Sequence, residues 1–359
     1  MRGADGKDPT LFSYVPLENR IAPNHPARAI RKMADVALKE ISPLLDSIYA
    51  TTGRPSIPPE QLLRATLLQI LFSVRSERML VEQIHLNMLY LWFVGLRLDD
   101  KVWDHSVFSK NRDRLLDGEV AQRFLKAVLD QASSKGLLSD EHFSVDGTLV
   151  QAWASVKSLT RKDGDNQPPS SSGRNPDVDF KGEALSNESH SSKTDPESML
   201  ARRGTGKEAK LSFLGHALME NRNGLILDTR MTRATGTAET EAAIDMLEYV
   251  ATDKPLTVAG DKGYDRRSFV SKARELKITP HVAKKKLHSA IDGRTTRHES
   301  YKTSQRIRKR IEEFFGWAKT IGPMRRPMFH GTQKLGWLMT MTAATYNLLR
   351  MQRLMLCTT

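Results

Sequence analysis

The chain has 359 residues, 39% hydrophobic and 27% charged, with a formal net charge of +13. That length and apolar content suit a soluble globular protein of two or three domains with a real core, and the positive charge favours a polyanionic partner, nucleic acid before an acidic membrane surface. A single cysteine, Cys357, excludes an internal disulfide or a cysteine zinc site and fits a reducing cytoplasm, while the longest apolar run, around residues 88–96, is too short to span a bilayer and no segment of signal-peptide type opens the sequence.

Residues 1–25, rich in Pro, Gly and charge, read as a loose arm. Helical periodicity then predicts a helix over 27–45, with Ile30, Met33, Val36, Leu38 and Ile41 as its stripe and Pro43 at its end. Further helices are predicted over 62–74, 77–93, 107–116 (capped by Asp104-His-Ser106) and 120–135, closing at Gly136. Residues 1–138 thus form an all-helical N-terminal domain. Its Arg64, Arg75, Arg78, Lys110, Arg112 and Arg114 would suit DNA contact, and would equally suit the solvated surface of an ordinary bundle.

The texture changes at His142. Residues 143–150 read as a short strand ending in an Asp-Gly turn, and 158–196, crowded with Ser, Asp, Asn, Pro and Gly, as a mobile insertion. Two strands over 209–220 and 224–231 meet at Asn221-Arg-Asn-Gly224, a hairpin signal. A helix over 239–250 turns Ala242, Ala243, Met246, Leu247 and Val250 inward. An apolar strand over 255–260 runs into Asp261-Lys-Gly-Tyr-Asp265, followed by a helix over 266–277 capped by Asp265, a strand over 278–283, a basic run from 284 to 297, and helices over 306–319 and 334–355. This alternation predicts an α/β mixed sheet flanked by helices over 139–331, with 332–359 as a C-terminal helix packed on it.

Asp146 and Asp261 both stand at strand ends, where open α/β sheets bind ligands. Carboxylates suit hard divalent ions, and two or three of them at one crevice are what two-metal phosphoryl transfer requires. Each aspartate alone also reads as a simple turn residue. In the 306–319 helix, Ile307, Ile311, Phe314, Phe315 and Ala318 form the core stripe. Arg308, Glu312 and Lys319 lie together beside it, with Glu313 on the opposite flank; a solvated Arg–Glu pair is the plain alternative. His216 reads as a sheet residue. Gly204-Thr-Gly-Lys207 lacks the spacing and the preceding strand of a phosphate loop.

Together these residues resemble the DDE insertion-sequence transposases, most closely the insertion-sequence-five group, related to the insertion-sequence-four group. Asp146-Gly-Thr, Asp261-Lys-Gly-Tyr-Asp265 and the spaced Arg308, Glu312 and Lys319 carry the likeness. So do Thr194-Asp-Pro-Glu, Gly215-His, Ala234-Thr-Gly-Thr-Ala-Glu239, Asp104-His-Ser-x-Phe-Ser and Ala344-Thr-Tyr-Asn-Leu-Leu-Arg350. The resemblance implies an RNase H-like fold in which Asp146, Asp261 and Glu312 coordinate two Mg²⁺ ions, with Mn²⁺ able to substitute, while Arg308, Lys319 and Lys262 hold DNA phosphates. It implies a transposase that cleaves the terminal inverted repeats of its element and joins the 3′ ends to target DNA, as a homodimer on double-stranded DNA in the bacterial nucleoid. A nuclease on the same fold and a non-catalytic repressor of transposition are the alternatives. Gln305 occupies the place of a tyrosine usual in the family signature.

Overall fold

The computed structural model describes residues 16–49, 52, 56–117, 119–162, 185–202, 204 and 206–357; the start of the predicted arm, the middle of the predicted insertion and Thr205 of the Gly204–Lys207 stretch lie outside them. The helical region comprises α1 Leu17–Arg20, α2 Pro26–Ile48, α3 Pro59–Leu71, α4 Glu77–Leu86, α5 Met88–Val94, α6 Ser106–Asp117 and α7 Val120–Ser134. Its departures from expectation have local causes. The end of the predicted arm is a helical turn because Glu18 accepts from Arg28 and, at 2.5 Å, from Trp92 Nε1. Pro43 lies inside α2 instead of ending it, since the buried stripe through Ile41 and Leu45 continues across the proline and packing outweighs the lost backbone bond. The predicted 77–93 helix divides at Asn87, whose side chain accepts from Leu89 N at 2.9 Å and starts α5.

The remaining strands are β1 His142–Gln151, β2 Leu159–Arg161, β3 His190–Ser192, β4 Met199–Ala201, β5 Lys210–Glu220, β6 Ile226–Arg233, β7 Leu256–Gly260 and β8 Ile278–Val282. The helices that accompany them are α8 Ala238–Val250, α9 Arg267–Glu275, α10 Gly293–Thr296, α11 Glu299–Ile307, α12 Arg310–Thr320 and α13 Thr332–Cys357. In the main sheet β6, β5 and β1 run antiparallel in that order, and β7 and β8 continue from β1 in parallel. Three antiparallel strands followed by two parallel ones, with crossover helices α8 and α9, is the RNase H-like arrangement. β1 does not end in an Asp-Gly turn. It runs on to Gln151 because β5 pairs with it along its length, from Phe143↔Glu220 to Gln151↔Ser212.

Alternation along the strands separates two apolar layers. Phe143, Val145, Leu218 and Val258 pack under α8 and α9 with Met246, Leu247 and Phe269. Ala217, Met219 and Ile226 face α13, which lies between β6 and helices α2 and α7. One apolar cluster therefore runs from Leu38 and Phe124 through Leu348 to the sheet. The described parts of the predicted insertion are also structured. Within it β2 pairs with β3; just beyond it β4 pairs with β5, and Glu197 accepts from Thr332 N at 2.9 Å, placing a carboxylate at the start of α13.

The β5–β6 hairpin turns on one buried group. Glu220 accepts from Arg222 N at 2.9 Å, Asn223 N at 2.7 Å and Leu225 N at 3.1 Å, while Gly224 adopts φ +72°. Glu220→Ala strands three backbone donors, and chemical denaturation should show a loss of about 3 kcal/mol or more.

Candidate active site

Parallel pairing between β1 and β7 stops at Ser144↔Ala259. Two residues further along each strand stand Asp146 and Asp261, in equivalent register and on the same face of the sheet. β7 then breaks into a 3₁₀ turn over Lys262–Tyr264, begun by Asp261 accepting from Gly263 N at 2.6 Å. β1 loses its neighbour there, and the sheet forks. The predicted crevice is this fork, with Asp146 within its strand and Asp261 just beyond its own.

The electrostatics are those of crowded carboxylates. Burial, then the charges of Asp261 and Glu239, push the Asp146 carboxyl up to about 7, against the opposing pull of the Gly147 N–H and of Arg308. Glu239, in the first turn of α8, is also raised, by burial and by Asp261. A cation placed in the fork would relieve both.

The predicted 306–319 helix is two helices. Backbone bonding shifts at Arg308–Lys309 from Arg308 N to Ser304 O (2.9 Å) to tighter three-residue closures, Ile311 N to Arg308 O (3.2 Å) and Glu312 N to Lys309 O (3.1 Å). Each side of the break has its own anchor. Gln305 donates to the carbonyl oxygens of Gly260, at 3.4 Å, and of His281, tying α11 to the ends of β7 and β8. Phe314 packs α12 on Tyr346 of α13, with ring centroids 5.3 Å apart. Gln305 also accepts from Arg308 Nε at 3.1 Å, so the residue in the tyrosine position aims the arginine whose charge Asp146 feels.

Lys319 Nζ donates to Thr148 Oγ1 at 2.5 Å, and Thr148 shares its face of β1 with Asp146. Lys262 is exposed on the turn after Asp261. Glu312 is exposed in the first turn of α12, on the face that Lys319 shares seven residues on, and is not brought into contact with either aspartate. Glu313 points elsewhere, with Arg350 at 3.9 Å. His216 is buried within β5 and bonded to Thr232 Oγ1 at 2.8 Å, as a sheet residue. Asp265 does not cap α9; it is buried and accepts from Lys285 N (2.7 Å) and Ala290 N (2.8 Å), fixing the basic run beside the fork.

Glu239, which the sequence did not single out as a candidate, stands beside Asp146 and Asp261. The signal was present: Glu239 precedes Ala242, Ala243 and Met246 by three, four and seven positions, so it continues the inward stripe of α8 as a carboxylate. The donor set is all oxygen, which fits a hard divalent ion. Among the described residues no three acidic or imidazole groups yet converge as a closed chelate. Two aspartates on adjacent strand ends of an RNase H-like sheet, with Arg308 acting on one of them and Lys319 on the same strand edge, give the kind of oxygen-donor set that metal-dependent phosphoryl transfer uses.

Family models agree. One described as Transposase domain (DUF772) matches residues 15–114, and one described as Transposase DDE domain matches residues 180–348. The chain belongs to the DDE transposases of insertion sequences, divalent-metal-dependent DNA transposases. No curated protein sequence matches it. Among solved structures it is similar to a piggyBac transposase synaptic complex with hairpin DNA, at 7% identity over 94% of this chain and 77% of that one, TM-score 0.43. It is also similar to a Mos1 transposase paired-end complex with the left transposon end, at 11% identity over 77% and 79%, TM-score 0.20. Strand order and the family models define the fold.

Proposed function

We propose that the protein, as a member of the insertion-sequence-five group, cuts double-stranded DNA at the terminal inverted repeats of its own element and joins the freed 3′ ends to target DNA. The observation that carries this reading is the register-matched pair Asp146 and Asp261 at the open end of β1 and β7. Together with Glu312 they would hold two Mg²⁺ ions, or Mn²⁺ in their place. Such ions supply activation of the attacking oxygen and stabilisation of the leaving one. Support for Glu312 comes from the residues on either side of it: Arg308, at the end of α11, acts on Asp146, and Lys319, on the same face of α12 as Glu312, reaches Thr148 on β1.

The protein's own groups do the positioning. Arg308, oriented by Gln305, and Lys319, held at Thr148, offer cations to the phosphates flanking the cut, and Lys262 adds a third on the β7 side. The test is incubation of a duplex ending in the element's inverted repeat with the purified protein. Mg²⁺-dependent nicking at the repeat boundary is expected, and its absence under all divalent conditions rejects the reading.

DNA binding follows from the charge of +13 and should be strongly salt-dependent. Six phosphate contacts would cost about 10³-fold in affinity between 50 and 200 mM salt. A fluorescence-anisotropy titration at the two salt concentrations measures this, and equal affinities would contradict it. Two ends must be brought together, so a homodimer on DNA is part of the proposal. Among the described residues no helix is long and apolar enough to cross a membrane.

A further inference from the structure

Glu239 is a half-buried acid at the fork that the DDE reading leaves unused. It arises from the opposite face of the sheet to Asp146. Alternation turns Gly147 towards α8, and a Cβ at Gly147 would stand 2.8 Å from Glu239 Oε1 and 3.3 Å from His216 Nδ1. On the other strand, a Cβ at Gly263 would stand 2.9 Å from Asp261 Oδ1 and 3.3 Å from Glu239 Oε2. The Glu239 carboxylate therefore spans the fork, one oxygen against the residue after Asp146 and the other reaching the same point as Asp261. Glycine at both positions is what leaves room for it.

Two further buried atoms converge here without a hydrogen-bond partner. Tyr264 and His216 have no exposed surface, and both the Tyr264 hydroxyl and His216 Nδ1 are unsatisfied. The Tyr264 hydroxyl faces Glu239 without completing a well-formed bond, and Asp146 and Asp261 are its other charged neighbours. Buried polar atoms are rarely left unpaired, and an ion with its water shell is a partner that would satisfy them. A carboxylate at the N-terminal turn of α8 is also favourably placed in the helix field.

We infer that Glu239 is a further oxygen donor of the divalent-cation site, entering the fork between Asp146 and Asp261 from beneath the sheet. It would hold an ion directly or through one of that ion's waters. The unpartnered Tyr264 hydroxyl and His216 Nδ1 lie on the same side of the sheet, where that ion's waters would meet them. The inference rests on Asp146 and Asp261 forming the cation site.

The test is Mn²⁺ binding to the full-length protein without DNA, read by electron paramagnetic resonance of free Mn²⁺ and, in parallel, by the Mn²⁺-induced rise in Tm. Glu239→Gln should raise the Mn²⁺ dissociation constant about tenfold or more and remove most of the Tm rise. Glu241→Gln, on the exposed side of the same turn, should bind as wild type. Gly147→Ala, which crowds the Glu239 oxygen without removing any carboxylate, should weaken binding in the same direction and serves if Glu239→Gln does not fold. Wild-type Mn²⁺ affinity in Glu239→Gln, with Asp146→Asn impaired, overturns the role of Glu239 and leaves the aspartate site standing. Wild-type affinity in Asp146→Asn as well overturns the aspartate site, and this inference with it.

Discussion

Asp146→Asn should abolish DNA cleavage, by roughly 10³-fold or more, while leaving DNA affinity within about twofold of wild type. Removal of one carboxylate from the fork deprives the site of charge that no neighbour replaces, whereas the contacts to DNA lie with cations elsewhere. The same substitution should stabilise the metal-free protein above neutral pH. The Asp146 carboxyl titrates at about 7 in the fold, chiefly because it is buried, against an ordinary value of 3.8. Between those values the unfolded chain has released a proton that the folded one retains. Folding stability therefore falls as pH rises through that window and levels off above about 7. Asparagine removes this loss. In the presence of a chelator, urea unfolding at pH 8 should show Asp146→Asn more stable by about 2 kcal/mol, the difference shrinking towards pH 4. A less stable variant at pH 8 would mean that the carboxylate is paired, not crowded.

Glu312→Gln is the second large effect expected, and its neighbour is the control. Both glutamates are exposed in the first turn of α12, yet only Glu312 shares a helix face with Lys319, and Glu313 has Arg350 beside it. Glu312→Gln should reduce cleavage by roughly 10³-fold, whereas Glu313→Gln should stay within about threefold, as loss of an exposed, long ion pair does. Single-turnover nicking of an end-containing duplex separates them. If Glu313→Gln proves the damaging one, the placement of α12 over β1 is wrong. Glu312 is exposed and so open to DNA, while Lys319 of the same helix reaches Thr148 on β1.

Much of the site was legible because its residues follow local rules. An apolar strand that ends abruptly in Asp261-Lys-Gly announces both a strand end and a carboxylate, and the seven-residue interval from Glu312 to Lys319 fixes a common helix face. What was not legible depended on pairing between distant segments. Asp146-Gly147 has the local chemistry of a turn, but its partner strand β5 keeps β1 extended through it. Pro43 should end a helix by local rules, but buried contacts on both sides carry α2 past it. The break at Arg308–Lys309 is set by Gln305 reaching two strand ends, which no periodicity within the helix encodes. Glu239 was hidden differently: as an acidic residue in a first helical turn it looked like ordinary end chemistry, and only the fork in the sheet shows where its inward stripe leads.

If the Asp146–Asp261 fork performs both halves of transposition, one assay detects both. A labelled duplex bearing the element's terminal repeat is incubated with the full-length protein, Mg²⁺ and an unlabelled second duplex. Nicks at the repeat boundary, followed by covalent joining of the freed 3′ end to the second duplex, are expected, and both should vanish in Asp146→Asn. Cleavage without any joined product would make the protein a nuclease on this fold, and joining that persists in Asp146→Asn would place the chemistry elsewhere.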